Sequence, residues 1–136
     1  MKYCMIEVAF GIKKEANKAV DELLNKRLVA SCQILESNSI WNWKQKREQS
    51  KEYIVLMKTQ FYLQNKIYNV IKNIHSYECF EFAVFELSSC NEDYLNGLFH
   101  AQVTLLRGFD IDFTKIQVAR LKGLTYEEMK ESLKEN

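Results

Sequence analysis

Apolar and polar residues alternate along the chain with periods that change from one segment to the next. Short, largely uncharged apolar runs are typical of buried strands, and apolar residues three or four positions apart are typical of helices with one buried face. Four runs predict strands: residues 3–9, 28–35 with a continuation at 39–43, 52–59, and 80–87. Three helical stripes lie between or after them: Ala16, Ala19, Val20, Leu23 and Leu24; Leu63, Ile67, Val70, Ile71 and Ile74; Tyr94, Leu95, Leu98 and Phe99.

The order of these segments is β-α-β-β-α-β followed by a helix. This order predicts a ferredoxin-like fold of the α/β (α+β) class, in which helices cover one face of an antiparallel sheet. A polar break at residues 36–38 interrupts the second strand, and the polar run 44–51 predicts a loop or hairpin tip. Asn91 is a suitable N-cap for the third helix.

The pattern changes after Val103. Phe109, Ile111 and Phe113 alternate with polar residues, which predicts a strand. Residues 125–128 fit a capping box that begins a last short helix. Such a segment is too apolar for a disordered linker. We therefore expect a domain at residues 1–102 and a C-terminal extension at residues 103–136, which packs on that domain or on a neighbouring subunit.

Composition excludes several classes of protein. A chain of 136 residues, 47% of them hydrophobic, suffices for one domain with a core. The net charge of +1 gives no field directed at nucleic acid or membrane. No apolar run approaches the roughly 20 residues of a bilayer span, and Glu7 interrupts the N-terminal stretch too early for a signal peptide. The four cysteines lack zinc or redox spacing, so we expect a cytoplasmic protein with reduced thiols.

Candidate chemistry concentrates between the second helix and the fourth strand. His75, Glu78 and Cys79 lie within five residues, and imidazole with thiolate suits Cu(II) or Zn(II), bound weakly and not as a required cofactor. A second interpretation is purely structural. His75 would then cap the C-terminus of a helix, and Cys79 would be a small buried hydrophobe. The residues alone leave both interpretations open.

The hairpin sequence permits a nucleic-acid interpretation. Trp41 and Trp43 are followed by a cationic run, and aromatic and cationic side chains can bind RNA bases and phosphates. The cations of this run are Lys44, Lys46, Arg47 and Lys51. However, the third strand lacks the stacking signature of an RRM. The alternative is that the tryptophans bury against another subunit. Catalysis is disfavoured because no nucleophile signature, phosphate-binding loop or zinc-hydrolase helix accompanies the acidic residues.

Several short stretches resemble, in the same order, motifs of the CutA family, the divalent-cation-tolerance proteins. The resemblance covers about residues 5–98 and is carried by five matches. These are residues 27–34 (Arg-Leu-Val-Ala-Ser-Cys-Gln-Ile), residues 39–43 (Ser-Ile-Trp-Asn-Trp), residues 56–59 (Leu-Met-Lys-Thr), the set His75, Tyr77 and Glu81, and residues 93–95 (Asp-Tyr-Leu).

The chain also departs from the family pattern. Gln45 replaces a glycine, and Ser76 and Phe80 replace two prolines. The family's cysteine in the second strand is displaced by one position, so that Ser31 precedes Cys32. Because side chains alternate between faces along a strand, Cys32 is expected to point away from the side that the family's cysteine occupies.

The resemblance implies a ferredoxin-like homotrimer that acts in metal-ion tolerance or signalling without catalysis. The structural or interface residues that it implies are Trp41, Trp43, Lys58, Tyr77, Glu81 and Tyr94. An exposed aromatic edge strand at residues 39–43 gives a physical reason for assembly. Glu81 is expected to pair with Lys58 or another cation. Two alternatives remain: a PII-like sensor of anions or nucleotides in a cleft between subunits, and an RRM-like RNA-binding module.

Overall fold

The predicted order of elements is confirmed in the part of the chain that the structure describes. The structure, a computed structural model, describes residues 2–103, with side chains described up to Leu98. The elements are β1 (Tyr3–Phe10), α1 (Lys13–Asn25), β2 (Ser31–Trp43), β3 (Lys46–Gln60), a 3-10 turn (Phe61–Leu63), α2 (Gln64–Ile74), β4 (Phe82–Glu86) and α3 (Glu92–Val103). Within these residues no helix is long and apolar enough to cross a membrane.

The four strands form one antiparallel sheet in the order β2-β3-β1-β4. β1 pairs with β3 along its whole length and with β4 from Cys4 to Val8. The helices α1 and α2 pack on one face of this sheet. The arrangement is the predicted ferredoxin-like α+β sandwich.

The core lies between the sheet and these two helices. Cys4, Ile6, Val8 and Phe10 of β1 are fully buried, because alternate residues of a strand point to the same face. They belong to one cluster with buried residues of β3, α1 and α2, among them Val55, Met57, Ala16, Ala19, Leu23, Ile67 and Ile71. Each fully buried large aliphatic side chain contributes about 1.5–3 kcal/mol, so this layer holds the fold.

The opposite face of the sheet, which α1 and α2 leave uncovered and which we call the helix-free face, is only partly covered. Tyr3 and Gln60 at one end of it are buried, and α3 contacts β3. By register the helix-free face also carries Met5 and Glu7 of β1, Leu56 of β3 and Phe85 of β4. The first three are half-buried, and Phe85 is 48% exposed. This face therefore has apolar surface available for a further contact.

The second strand begins later than predicted, at Ser31, because the preceding residues complete the end of α1. Arg27 has a φ of 56°. The N–H of Leu28 donates to the Leu23 carbonyl and the N–H of Arg27 to the Leu24 carbonyl, each at 3.0 Å. These two bonds are the Schellman pattern, which satisfies the last carbonyls of a helix.

The outer half of the β2–β3 hairpin forms a two-stranded ribbon, residues 37–43 and 46–52, which we call the arm. Its pairing runs without a break from Ser37↔Glu52 to Trp43↔Lys46. β1 reaches only as far as Tyr53 on β3, so the arm projects beyond the rest of the sheet. The predicted hairpin tip is confirmed at Lys44 and Gln45, but residues 46–51 are strand and not loop, and the predicted break at 36–38 is wrong. A ribbon exposed on both faces has no hydrophobic alternation to mark it.

The tip of the arm is a tight two-residue turn. Lys44 and Gln45 have φ angles of 48° and 66°. Positive φ at both central residues defines a type I′ turn, whose twist matches that of the flanking strands and which normally uses Asn-Gly. Each residue with a Cβ pays roughly 1–2 kcal/mol in this conformation.

The predicted extension at residues 103–136 lies outside the described residues, apart from Val103 at the end of α3. Its strand, its helix and its packing stay predictions.

Candidate functional site

A groove of about 510 Å³ lies where the arm leaves the rest of the sheet. Residues of the arm line one part of it, and the segment between α2 and β4 lines another. We call that segment, residues 75–81, the junction. The lining residues are Ala9, Ser39, Ile40, Trp41, Glu52, Tyr77, Cys79, Phe80 and Glu81. A space of this size accommodates a small molecule or a few side chains of another chain.

His75 holds the junction against the end of β1. Its Nε2 donates to the Ala9 carbonyl at 2.7 Å, and the backbone N–H of Tyr77 donates to its Nδ1 at 3.1 Å. Because a backbone N–H can only donate, Nδ1 is the acceptor and Nε2 carries the hydrogen. The ring is stacked between Phe10 and Phe80, with 4.5 Å between centroids on each side.

The three predicted metal ligands are not assembled into a centre. Both ring nitrogens of His75 are engaged and the residue is buried, whereas Glu78 and Cys79 are exposed. Among the described residues, no three His, Cys, Asp or Glu side chains are grouped so that they could hold a metal ion. The residues present therefore do not fit a preformed metal centre. Weak binding of Cu(II) or Zn(II) through this loop stays a prediction.

The structural alternative for the same residues is confirmed for the position of His75 and contradicted for Cys79. His75 is the C-cap residue of α2, and its backbone N–H donates to the Ile71 carbonyl at 2.8 Å. Its side chain, however, bonds to a carbonyl of β1 and to none of the helix. Cys79 is exposed and lines the groove, so its interpretation as a buried hydrophobe is wrong.

Tyr77 crosses the turn after β1 and reaches the base of the arm. Its ring lies so close to Gly11 that a Cβ at that position would stand 2.8 Å from the Tyr77 Cζ. Its hydroxyl donates a long hydrogen bond of 3.5 Å to Glu52 Oε2. Partial burial, followed by the charge of Glu52, raises the pKa of the Tyr77 hydroxyl. Gly11 thus gives Tyr77 the space to connect the junction with the arm.

The junction is also tied to α1. The backbone N–H of Ser76 donates to Glu15 Oε1 at 2.8 Å. Backbone and side-chain bonds therefore fix the junction to β1 and α1, so one wall of the groove is held in place.

Carboxylates cluster on one side of the groove. Glu81 is exposed, but a hydrogen bond with Glu7, then slight desolvation, then the charges of Glu7 and Glu52 raise its pKa to about 7 from 4.5. These causes are typical of carboxyl groups that face each other without a cation between them.

The predicted pairing of Glu81 with Lys58 is wrong. Phe82 pairs with Val8, which places Glu81 beside Ala9, whereas Lys58 pairs with Met5. Four residues along β1 separate the two positions, roughly 13 Å at 3.3 Å per residue. Lys58 is half-buried on the helix-free face.

The displaced cysteine behaves as predicted. Cys32 pairs with Met57 and packs against the core, while Ser31 pairs with Lys58 on the helix-free face. Burial raises the pKa values of Cys32 and Cys4 to about 11. These thiols remain protonated at neutral pH and are poor metal ligands there.

The other predicted interface residues lie at separate places. Trp41 and Trp43 are 42% and 59% exposed on the arm, and Trp41 lines the groove. Tyr94 is 39% exposed on α3. The groove therefore brings together Trp41, Tyr77 and Glu81 but not Trp43, Lys58 or Tyr94.

Sequence reasoning missed several residues of this site. Glu7 had a detectable signal, since it is a carboxylate inside an otherwise apolar strand. Glu52 was predicted only as the first residue of a strand. Ala9 contributes a backbone carbonyl, and Gly11 contributes the absence of a side chain. No residue-type pattern reports either of these roles.

Comparisons with known proteins agree on one family. A family model described as CutA1 divalent ion tolerance protein matches residues 4–99. The chain is similar to the divalent-cation tolerance protein CutA of Pyrococcus horikoshii, with 32% identity over 94 residues that cover 69% of this chain and 92% of that protein. It is also 31% identical over 93 residues to a probable divalent-cation tolerance protein cutA homolog of Encephalitozoon cuniculi, which covers 68% and 82% of the two chains.

The fold agrees as well. The crystal structure of CutA1 from Pyrococcus horikoshii superposes with a TM-score of 0.67 at 28% identity, over 72% of this chain and 96% of that one.

Proposed function

Because the chain belongs to the CutA1 divalent ion tolerance protein family, we propose that it is a small non-catalytic homotrimer that acts in divalent metal-ion tolerance or signalling, with copper as the first candidate. Its relatives are named for tolerance of divalent cations and not for a reaction. A cytoplasmic location is part of this proposal and rests on composition alone.

The observation that carries the trimer is the exposed arm. Ile40, Trp41 and Trp43 are 60%, 42% and 59% exposed on a ribbon beside which residues 2–103 place no third strand. An isolated two-stranded ribbon is marginally stable in water. Strand edges and large aromatic side chains are stabilised when another chain pairs with them.

The helix-free face supports the same proposal. Leu35 and Phe85, 51% and 48% exposed, flank the half-buried Met5 and Leu56 on this face. Apolar surface that adjoins an exposed arm favours assembly with other copies.

Sedimentation equilibrium of Trp41→Ala/Trp43→Ala tests the trimer. The variant should have a mass near that of a monomer, or become insoluble, because large aromatics dominate interface energetics. Ile12→Ala/Leu24→Ala is the matched control, since both residues are exposed apolar residues at or in α1, away from the arm. A double tryptophan variant that remains a trimer of normal stability would remove this assignment.

Native mass spectrometry during titration with Cu(II) or Zn(II) tests the metal part. We propose weak binding at the junction through Cys79 and Glu78, joined by His75 when its bond to Ala9 opens. Cys79→Ser/Glu78→Gln should lose binding without unfolding, because both side chains are exposed. Binding should also weaken at low pH, where protons compete for the ligands. Undiminished binding by this variant would place the metal elsewhere.

The two alternatives are not favoured. Glu52 and Glu81 in the groove repel the anions or nucleotides that a PII-like sensor would bind. At its centre the helix-free face carries Met5, Glu7 and Leu56, where an RRM would place aromatic side chains.

A further inference from the structure

The groove is acidic, and its carboxylates have no counter-ion among the described residues. Glu52 and Glu81 line it, and Glu7 is hydrogen-bonded to Glu81. Ion pairs seen within residues 2–98 include Lys2 with Glu86, Lys26 with Glu22, and Lys51 with Glu36, and none of these three involves Glu7, Glu52 or Glu81. Like charges held together are stabilised by a cation, and this chain does not supply one from the described part of its own fold.

The tip of the arm has the opposite charge. Lys44, Lys46 and Arg47 lie within four residues, are all exposed, and take part in none of those ion pairs. The Lys44 ammonium lies 5.8 Å from the centroid of the Trp43 ring, and Lys46 is directly opposite Trp43 in the ladder. The tip therefore presents a tryptophan together with cations.

The tip cannot reach the groove of its own chain. Lys46 and Glu52 are six residues apart on a continuously paired strand, roughly 20 Å at 3.3 Å per residue. A lysine side chain covers only a fraction of that distance. A cation from the tip can enter the groove only if the tip belongs to another molecule.

We propose that the groove is completed by a second copy of this chain, whose arm tip places Lys46 and Arg47 against Glu52 and Glu81. This inference rests on the proposed homotrimer and adds which surfaces meet in it. The tip and the groove are different patches, so their contact is heterologous. A heterologous contact repeats from subunit to subunit and closes into a ring if the rotation allows it, whereas a two-fold dimer would need one patch to meet itself.

The groove also suits the apolar part of the tip. Trp41, Tyr77 and Phe80 line it beside the carboxylates. A lysine or arginine side chain combines a charged end with an apolar stem, and aromatic rings attract cations. The groove would therefore contact both the charged end group and the apolar stem of such a side chain.

Charge reversal tests the contact. The tip variant is Lys46→Glu/Arg47→Glu, the groove variant is Glu52→Lys/Glu81→Lys, and a third variant carries all four changes. Each reversal alone should weaken assembly at least about tenfold in sedimentation equilibrium, because close charge pairs across an interface couple strongly. The combined variant restores opposite charges in every contact of a homo-oligomer and should recover most of the affinity. Lys14→Glu/Lys18→Glu on α1 makes the same charge change far from the tip and is the matched control.

Salt gives an independent measurement. The wild-type assembly should weaken between about 0.05 and 0.5 M salt, since the Debye length shortens over this range. Assembly of Lys46→Gln/Arg47→Gln should depend less on salt. If the groove variant does not fold, as judged by circular dichroism, the tip variants decide, because their substitutions lie on an exposed ribbon.

The outcomes separate this inference from the trimer itself. If neither reversal weakens the trimer more than the control variant does, the tip–groove contact is overturned and the trimer is unaffected. Spermidine binding to the groove of that trimer would then identify a small cation as its occupant. A wild-type ring of another size overturns the trimer but leaves the charge swap to decide the contact. A wild-type chain that stays monomeric at about 100 µM, far above the dissociation constant of a specific interface, overturns both.

Discussion

Strands β2 and β3 run through two regions that differ in how they are covered: the arm, and the rest of the sheet with its helices, which we call the body. In the body, Val55 and Met57 of β3 are at most 1% exposed and pack against helices. In the arm, every residue from 40 to 51 is exposed. The ladder between β2 and β3 is continuous through both regions. Backbone pairing alone therefore does not determine stability; the body has a core of its own and the arm has none.

This difference indicates which region the proposed assembly would stabilise. The body buries a core between the sheet and the helices α1 and α2 within one chain, so a monomer can fold around it even though Leu35 and Phe85 on the helix-free face stay exposed. The arm carries exposed aromatic side chains and a turn with two residues at positive φ, so it is the region that contacts from a second copy would stabilise in the proposed assembly. The groove lies at the boundary between the two regions, where an arm from a neighbouring subunit can be held by a preformed wall.

The same substitution in each region should give the largest contrast. Ile6→Ala in the body should lower the free energy of unfolding by about 2–5 kcal/mol, because it leaves a cavity at a fully buried position. Ile40→Ala in the arm should cost less than about 0.5 kcal/mol in the monomer. Urea unfolding at several protein concentrations measures both. The Ile40→Ala effect should grow with concentration, and a large effect at all concentrations would show that the arm stabilises the monomer.

His75→Ala should have the next largest effect. It leaves the Ala9 carbonyl without its donor and a gap between Phe10 and Phe80, so we expect a loss of about 2–4 kcal/mol. His75→Gln is the matched variant, because its amide can still donate to Ala9, and it should recover part of the loss. The measurement is chemical unfolding with a chelator present. Equal stability of all three chains would show that the junction is not held as described.

Relief of strain at the tip should stabilise the arm. Lys44→Asn/Gln45→Gly introduces the pair that a type I′ turn prefers and should raise the free energy of unfolding by about 1–2 kcal/mol. Asn42→Gly, in the adjacent strand, should instead destabilise. Thermal unfolding measures both. No gain from the first variant would mean that the arm unfolds independently of the body.

Glu81→Gln should change the pH dependence more than the stability itself. The pKa of Glu81 is raised to about 7 from 4.5, so the stability contributed by its bound proton is full below about pH 4.5 and is lost as pH rises through about 7. The charged groups that raise its pKa are Glu7 and Glu52, and Tyr77 lines the same groove. The glutamine variant should match the wild type near pH 5 and unfold roughly 2–4 °C higher near pH 8.

Glu86→Gln is the control for this comparison, because that carboxylate lies 3.7 Å from Lys2 Nζ and faces a cation. It should not gain stability at high pH. A wild type without this pH dependence in its assembled form, but with it when diluted to monomers, would locate the missing cation in a neighbouring subunit.

The body was predictable because its segments carry strong periodicity. Ile67 and Ile71 repeat at the spacing of a helix face, and the apolar run at residues 3–9 corresponds to β1 within one residue at its end. The arm was only half predictable. The sequence predicts a strand at Trp41 and Trp43 but a loop or hairpin tip at residues 44–51. A ribbon with polar residues on both faces has the same polar sequence pattern as a loop.

The groove was less predictable, for a different reason. His75 and Tyr77 were selected from their position, but the partners that define their roles are the Ala9 carbonyl and the space above Gly11. Glu81 was assigned a cation and instead faces Glu7. These relations depend on how distant segments meet in three dimensions, and no local pattern encodes them.

The hydrogen bond between His75 and Ala9 also sets an order of events during synthesis. It joins residues 66 positions apart, whereas the two strands of the arm are joined by two residues. A local hairpin closes in microseconds, but distant contacts wait for the whole intervening chain. On the ribosome, the two strands of the arm therefore can pair before residues 77–81, which line the groove, have been synthesised. Until residue 81 has been synthesised, the nascent chain contains the aromatic ribbon but not the complete groove, and unpaired strand edges of this kind promote aggregation.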